Sequence, residues 1–397
     1  MNSQMCTGCG LCAAMSSNIQ MKYVNGFMRP VFSESACIED KDHEKAKTFS
    51  VACPGRRVQA IKTPEAERHE TLGPIIGIWQ AWAVDPEFRD KGSSGGTLSA
   101  LNAWLLSRGI ATKVVGASAS RENPRKTVPV TILSREEALA SAGSRYAPTS
   151  NLSNSDAFLQ GVSFTGKPCE VSAKRAYDKA NGQNSPILLS FFCAGTPSQD
   201  ATDNLIEKLG ISKETPLQSL WYRGHGWPGE FTAISKDGNK VSTSYNDSWG
   251  AALGPTVQWR CRICPDGVGE SADITAGDFW EADEKGYPEF SDKPGRSALI
   301  ARTPRGYQLI QEAIKEGILE AIATDPDTVA KMQPYQYSRR KYLIARILGS
   351  RIFLGKTPKI VGFGMYRILW KEPKTVYKEM RGTISRIRHR KRSGIKS

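Results

Sequence analysis

The residues in this chain best suited to chemistry are its nine cysteines among 397 residues. The run Cys6-Thr7-Gly8-Cys9-Gly10-Leu11-Cys12 places three thiols two residues apart, and Cys53-Pro54 follows later. Thiolates at that spacing wrap one iron-sulfur cubane, and the small residues let backbone N–H groups approach its sulfides. Zinc is the other reading, although zinc knuckles usually present separated Cys-x2-Cys pairs rather than a triple. Cys169, Cys193 and the pair Cys261-x2-Cys264 form a second, scattered set. Spacing alone leaves that set open between buried small hydrophobes, a thiol redox pair, half a zinc site and ligands of a second cluster.

The first set can be counted. In a two-cluster ferredoxin the fourth cysteine of each run, the one before proline, ligates the other cluster. Here Ser16 stands where the first run's fourth cysteine belongs, while the second run keeps Cys37 and Cys53 with Asp40 and His43 between them. One set is reduced to Cys37. The other, Cys6, Cys9, Cys12 and Cys53, is complete and predicts one [4Fe-4S] cluster.

A second candidate site is Gly92-Ser93-Ser94-Gly95-Gly96 followed by Thr97. A glycine loop ahead of a helix offers N–H groups and the positive dipole end to a pyrophosphate, with Lys91, Ser93, Ser94 and Thr97 as side-chain contacts. An ordinary turn and helix cap reads equally from the loop alone. Arg145 and Tyr146 offer a charge and a stacking face. His225, among glycines, is a candidate proton donor as well as a candidate exposed or structural histidine. Asp278 reads as a turn residue, and Trp221, Trp227, Trp249, Trp259 and Trp280 as core.

The elements that position these residues follow from periodicity. Residues 75–84 read as a strand, 97–107 as a helix with Leu98, Leu101 and Leu105 on one face, and 112–117 as a strand. Residues 185–193 and 272–280 are strand-like, 306–316 is helical, and 63–74 is a Pro-, Glu- and Arg-rich linker. Two further helices are expected at 339–354 and 373–392.

Length predicts two or three domains of roughly 150 residues. The chain is 39% hydrophobic and 24% charged, ordinary globular usage, which excludes wholesale disorder. No apolar run is long enough to span a bilayer. The start, Met1 to Cys6, has neither a basic nor an apolar signal region, so a reducing cytoplasm is expected, where disulfides are not. The net charge of +14 is concentrated at one end. Residues 331–397 hold 19 Lys and Arg against Glu372 and Glu379, leaving 35 basic and 38 acidic residues elsewhere. In 339–354, Leu343, Ile344, Ile347, Leu348 and Ile352 gather on one face with arginines around it. That pattern suits either an anionic membrane surface, giving a peripheral location at the inner membrane face, or packing on the body. Nucleic acid is not the expected partner, because base-stacking aromatics are sparse there.

Taken in order, several segments resemble the coenzyme F420 hydrogenase/dehydrogenase beta-subunit family over about residues 79–314. They are Gly92 to Gly96, Ser144-Arg145-Tyr146-Ala147-Pro148, Lys167-Pro168-Cys169-Glu170-Val171, Phe192-Cys193-Ala194-Gly195, Tyr222 to Pro228, Cys261 to Asp266 and Ala272 to Asp278. The ferredoxin-like segment in front is similar to that of bacterial members and of 7-hydroxymethyl chlorophyll a reductase. The resemblance implies FAD, held through Ser93, Ser94, Gly95, Gly96, Thr97, Arg145 and Tyr146, and a second [4Fe-4S] cluster on Cys169, Cys193, Cys261 and Cys264. It implies a ferredoxin or other electron carrier as partner and an organic hydride acceptor or donor, with the deazaflavin coenzyme F420 or a chlorophyll side chain as precedents, and the likeness to bacterial proteins of surface-polysaccharide assembly adds a sugar-related substrate. A non-catalytic electron-transfer subunit is the alternative, and a zinc-stabilised interaction protein a third. The expected fold is α+β: a ferredoxin-like segment (1–62), a mixed α/β flavin-binding core in two parts (75–160 and 161–330) and a helical basic tail (331–397). On this reading Cys9→Ser removes only the N-terminal cluster's iron, whereas Cys261→Ser also impairs flavin reduction. Iron analysis with flavin photoreduction checks both, and unchanged iron in both variants refutes the ligand assignment.

Overall fold

The computed structural model describes residues 3–32, 43–280 and 294–392, and Cys37 lies outside them. An eight-stranded mixed sheet organises the molecule, in the order Leu319–Ala323, Gly77–Ala83, Arg296–Ala301, Ile274–Phe279, Ile187–Phe191, Val162–Gly166, Lys113–Ala119 and Thr127–Ile132. Its four inner strands, from Lys113–Ala119 through Val162–Gly166 and Ile187–Phe191 to Ile274–Phe279, run parallel. The flanking pairings are antiparallel.

Parallel strands are covered on both faces and read as continuous apolar runs. Alternation then sends neighbouring side chains into different cores. Val114 and Leu189 join Trp79, Leu101, Trp104 and Ile310 beneath the helices Thr97–Ser107 and Pro304–Lys315. Val115 and Leu188 face the other way, packing with Phe164, Val171, Leu152, Cys9 and Leu11. The N-terminal segment therefore helps to cover the second face of the sheet. It comprises the helix Leu11–Met15, an antiparallel hairpin of Ile19–Val24 with Phe27–Phe32, and the helix His43–Ala52. A three-stranded antiparallel sheet, Leu217–Trp221, Phe231–Ser235 and Lys240–Thr243, carries its own core around Tyr222, Leu205 and Phe231.

The tail differs from expectation. The helix expected over 339–354 is two helices, Pro334–Lys341 and Leu343–Leu354, because the chain turns at Tyr342. Most of its apolar face looks inward: Leu343, Ile344 and Ile347 are buried with Met5, Val58 and Trp259, while Ile352 is exposed. Lys359–Val361 adds a parallel strand to Arg57–Gln59 of the N-terminal segment. The 20-residue helix Pro373–Arg392 closes over that core. Among the described residues no helix is long and apolar enough to cross a membrane.

Buried ion pairs fasten these layers. Glu270 bonds Arg340 of the tail and Arg68 of the linker. Asp273, at the head of its strand, accepts from Leu188 N (2.9 Å), Thr303 Oγ1 (2.8 Å), Arg305 (2.6 Å) and Arg175 (3.2 Å). Burial works to raise the Asp273 carboxyl, but Arg175, Arg305 and the Leu188 N–H outweigh it and hold it below the ordinary aspartate range. A depressed carboxyl contributes stability above its unfolded pKa of about 4 and loses it as pH falls through the folded value. Asp273→Asn, which leaves two arginines without their shared charge, should cost about 3–5 kcal/mol of stability in denaturant titration and flatten the acid limb of the stability profile.

Candidate redox site

Two cysteine quartets meet at the carboxyl edge of the parallel strands, where open α/β sheets bind their ligands. Cys169 follows Val162–Gly166 by three residues, in the first turn of the helix Pro168–Ala180, and Cys193 follows Ile187–Phe191 by two. The Cys193 N–H donates to Gly267 O at 2.8 Å, which draws in the loop after Cys264. Cys261 lies on the short helix Trp259–Arg262. It packs against Gly195, whose φ of 127° and close approach admit no side chain: a Cβ there would lie 3.2 Å from that of Cys261 and 2.5 Å from Val257. Cys169, Cys193, Cys261 and Cys264 thus line one small cavity, together with Lys167, Arg260, Arg339 and Thr7.

Thr7 belongs to the N-terminal cysteine loop, so the two quartets adjoin. The fully enclosed Gln258 amide joins them, donating to Thr7 O (3.1 Å) and Cys261 Sγ (3.4 Å). Arg260 donates to Pro54 O at 2.8 Å, beside Cys53. Gly10 packs against the backbone of residues 150–153 at a φ of 92°, where a Cβ would come within 2.6 Å of Ser153 N. Leu152 N bonds Cys9 O, and Ser150 Oγ bonds Gly8 O.

Burial is the main electrostatic feature of both quartets. It pushes the Cys12 thiol up to about 12, with Cys6 and Cys53 adding to the rise, and raises Cys9 and Cys53 as well. In the second quartet burial pushes Cys193 up to about 12, with Cys261 adding, and raises Cys169 well above the ordinary thiol value. Cys169 is also felt by Cys9 across the junction. Such thiols ionise only against a buried cation. Protein cations are near: Lys167 bonds Glu170 (2.7 Å) and Thr149 O (2.9 Å), and Arg339 donates to Cys193 O and Ala194 O. Arg339 Nε and Arg260 Nη1 are buried with no partner among the described residues. Among the described residues, no three His, Cys, Asp or Glu side chains converge on the position of a single ion. The second quartet rings a space, an arrangement suited to a cluster that takes each thiolate on a different iron, and the four-thiol donor set fits such a group.

The glycine loop lies at the same edge, between the helices Pro86–Lys91 and Thr97–Ser107. Ser94 Oγ and Gly95 N both meet Ser297 Oγ, at 2.9 and 3.0 Å, and Ser93 Oγ accepts from Ser144 N at 2.5 Å. Gly96 heads the second helix, and Thr97 Oγ1 is buried there without a partner among the described residues. Ser93, Ser94, Gly95, Gly96 and Thr97 therefore come together, and an unpartnered hydroxyl at a helix start fits an anionic ligand. Arg145 is not aimed at this loop. It donates to Thr127 Oγ1, Leu220 O and Pro124 O, each at 2.8 Å, so its guanidinium serves the protein's own backbone. Tyr146 packs on Trp249 at 4.9 Å and edge-on to Tyr222.

Sequence reasoning missed the ion pair of Arg223 with Asp278. Asp278 is no mere turn residue: it bonds Arg223 at 2.6 Å. Arg223 also donates to Pro228 O and lies over the Trp227 and Tyr245 rings, with Asp278 and the two tyrosines outweighing burial to hold its charge. The landmark segments around residues 223 and 278 were the available signal, but nothing in their spacing pairs them. Of the five tryptophans expected in the core only Trp259 is buried. Trp221, Trp227, Trp249 and Trp280 are half-buried. His225 is half-exposed at a φ of 57°, 3.8 Å from Asp90 and tilted over Trp221.

Related sequences show the family to which the chain belongs. Two family models match, the N-terminal and C-terminal parts of the coenzyme F420 hydrogenase/dehydrogenase beta subunit, at residues 78–155 and 159–327. The chain belongs to this family of oxidoreductase subunits. It is 28% identical over 253 residues to the coenzyme F420 hydrogenase subunit beta of Methanococcus voltae, covering 60% of this chain and 81% of that one. It is 27% identical to the beta subunit of an F420-dependent formate dehydrogenase of Methanococcus maripaludis, covering 63% of this chain and 62% of that one. A chain of the F420-reducing [NiFe] hydrogenase complex of Methanosarcina barkeri shares the fold, with a TM-score of 0.54 and 20% identity over 74% of this chain and 98% of that one.

In iron-free, folded protein at pH 8, Cys12 and Cys193 should alkylate about a thousandfold more slowly than an exposed cysteine, because only the thiolate reacts. Their rates should climb about tenfold per pH unit, and unfolding should abolish the protection. Mass-spectrometric labelling with iodoacetamide checks all three.

Proposed function

We propose that this protein is an iron-sulfur flavoprotein that carries electrons between a one-electron carrier and an organic hydride acceptor or donor. The observation that supports the reading best is the meeting of two buried to half-buried quartets, Cys6, Cys9, Cys12, Cys53 and Cys169, Cys193, Cys261, Cys264, on a sheet whose same edge carries the Gly92–Gly96 loop. When bound, two [4Fe-4S] clusters would supply one-electron steps and FAD their conversion to two-electron chemistry.

The chain's own residues do the rest. Gln258 and Arg260 lock the two cysteine loops at fixed separation. Lys167 and Arg339 place positive charge beside the second quartet, favouring thiolate over thiol. Cys193 and Asp278 each lie just past or at the ends of neighbouring parallel strands, about 5 Å apart in a sheet. The helix Pro334–Lys341 spans the same short distance: Gln333, just before it, bonds Asp278 O, and Gln336 within it bonds Cys193 O. Asp278 also pairs with Ser297, which bonds Ser94 and Gly95, so the loop and the second quartet are linked through neighbouring strands at one edge, an arrangement that supports electron exchange between groups bound at each. Ser93, Ser94, Gly95, Gly96 and Thr97 would hold the flavin's phosphates, with Tyr146 and the Arg223–Asp278 pair bordering its ring. His225, half-exposed at the rim, is placed to move a proton at its imidazole. A ferredoxin-type carrier is the partner this scheme requires at the N-terminal quartet.

A non-catalytic electron-transfer subunit is the second reading, favoured by the relatives, which are beta subunits of an F420 hydrogenase and an F420-dependent formate dehydrogenase. Flavin content separates the two. After anaerobic purification we expect about eight irons, eight sulfides and one FAD per chain, as two cubane sites demand. Iron and sulfide without flavin would favour the second reading, and zinc without sulfide would refute both.

A further inference from the structure

Only part of the tail's charge is used inside the molecule, by Arg339, Arg340 and Arg390. Its apolar residues Leu343, Ile344, Ile347, Phe363 and Ile387 are buried against the N-terminal segment, which leaves a different surface outward. Along Pro373–Arg392, Val376, Thr383 and Ile387 are buried, whereas Lys374, Tyr377, Lys378, Arg381 and Arg388 are exposed at helical spacing. None of those four cations has a carboxylate partner among the described residues. The tail's only two acids are taken: Glu372 by Lys341 at 2.9 Å and Glu379 by Arg386 at 3.9 Å. Immediately before this stripe comes the short helix Arg367–Lys371, which turns Ile368 and Leu369 toward the core. Its other side leaves Trp370 87% and Tyr366 58% exposed, one helical turn apart, with Tyr377 57% exposed beyond them.

We propose that this face seats the protein on an anionic lipid bilayer, the cations meeting headgroup phosphates and Trp370 and Tyr366 entering the interfacial layer. Aromatic side chains with a polar edge settle at the headgroup level, and Lys and Arg clusters are drawn to anionic leaflets. Isolated exposed aromatics rimmed by unpaired cations match that surface better than a dry protein interface, which needs a contiguous apolar centre. The contact is peripheral, since the apolar side of these helices is already covered by the protein itself. It differs from the amphipathic arrangement expected of residues 339–354, whose apolar face is mostly internal.

The test is co-sedimentation of the full chain with vesicles of phosphatidylcholine alone or mixed with phosphatidylglycerol, across a salt series. We expect binding only to the mixed vesicles, weakening with salt. The triple variant Lys374→Gln, Lys378→Gln, Arg381→Gln should lose about fivefold in partition coefficient for each charge removed. Trp370→Ala should weaken binding while keeping its salt dependence. All four positions are exposed and outside the thiol sites, so an unchanged visible spectrum and circular dichroism certify the fold. Equal binding to both vesicle types, or a triple variant that binds as the wild type does, overturns the proposal. So does tighter binding to duplex RNA than to mixed vesicles at equal phosphate, which would assign the face to nucleic acid.

Discussion

Thiols withdrawn from water are the constraint on which the rest of the molecule depends. A buried thiolate without an opposite charge is strongly disfavoured, and here burial drives Cys12 and Cys193 to about 12. Grouping four such side chains is unfavourable unless a cation joins them or the backbone holds them regardless. This fold does the second firmly. Gly10 and Gly195 approach neighbouring backbone and side chains too closely for a Cβ, and Gln258 and Arg260 tie one cysteine loop to the other.

That locking explains why the ends of the chain return to the middle. Met5 and Val58 of the N-terminal segment share a core with Leu343 and Ile360 of the tail, and Cys9 and Leu11 share one with Phe164 and Leu188 of the sheet. Arg340 reaches Glu270, and Arg339 reaches the carbonyls beside Cys193. Neither end is an appendage. Each supplies side chains that fix the geometry around the thiols, and the basic tail is as much a wall of the site as a surface.

The sheet sets where chemistry can occur. Its four inner strands are parallel, so their carboxyl ends gather at one edge, and Cys169, Cys193 and Asp278 come from three adjacent strands there. The glycine loop reaches the same edge because Gly77–Ala83, antiparallel to Arg296–Ala301, ends beside Ser297.

Much was determined by the sequence alone, wherever the signal was local. The helices Thr97–Ser107 and Pro373–Arg392 lie where periodicity and capping put them, and the strands Gly77–Ala83, Ile187–Phe191 and Ile274–Phe279 fall within their expected runs. The Cys6-x2-Cys9-x2-Cys12 triple was legible for the same reason, since its members are neighbours along the chain. Tertiary structure decided whatever joins distant residues. Spacing could not gather Cys169, Cys193 and Cys261, pair Arg223 with Asp278 across 55 residues, or turn Arg145 toward backbone carbonyls. It could not tell which side of the tail would be covered, because an apolar helix face looks the same before a lipid surface as before a protein core. Local preferences act through a few neighbouring backbone and side-chain groups, whereas these choices belong to the order and direction of strands, and only the folded sheet supplies them.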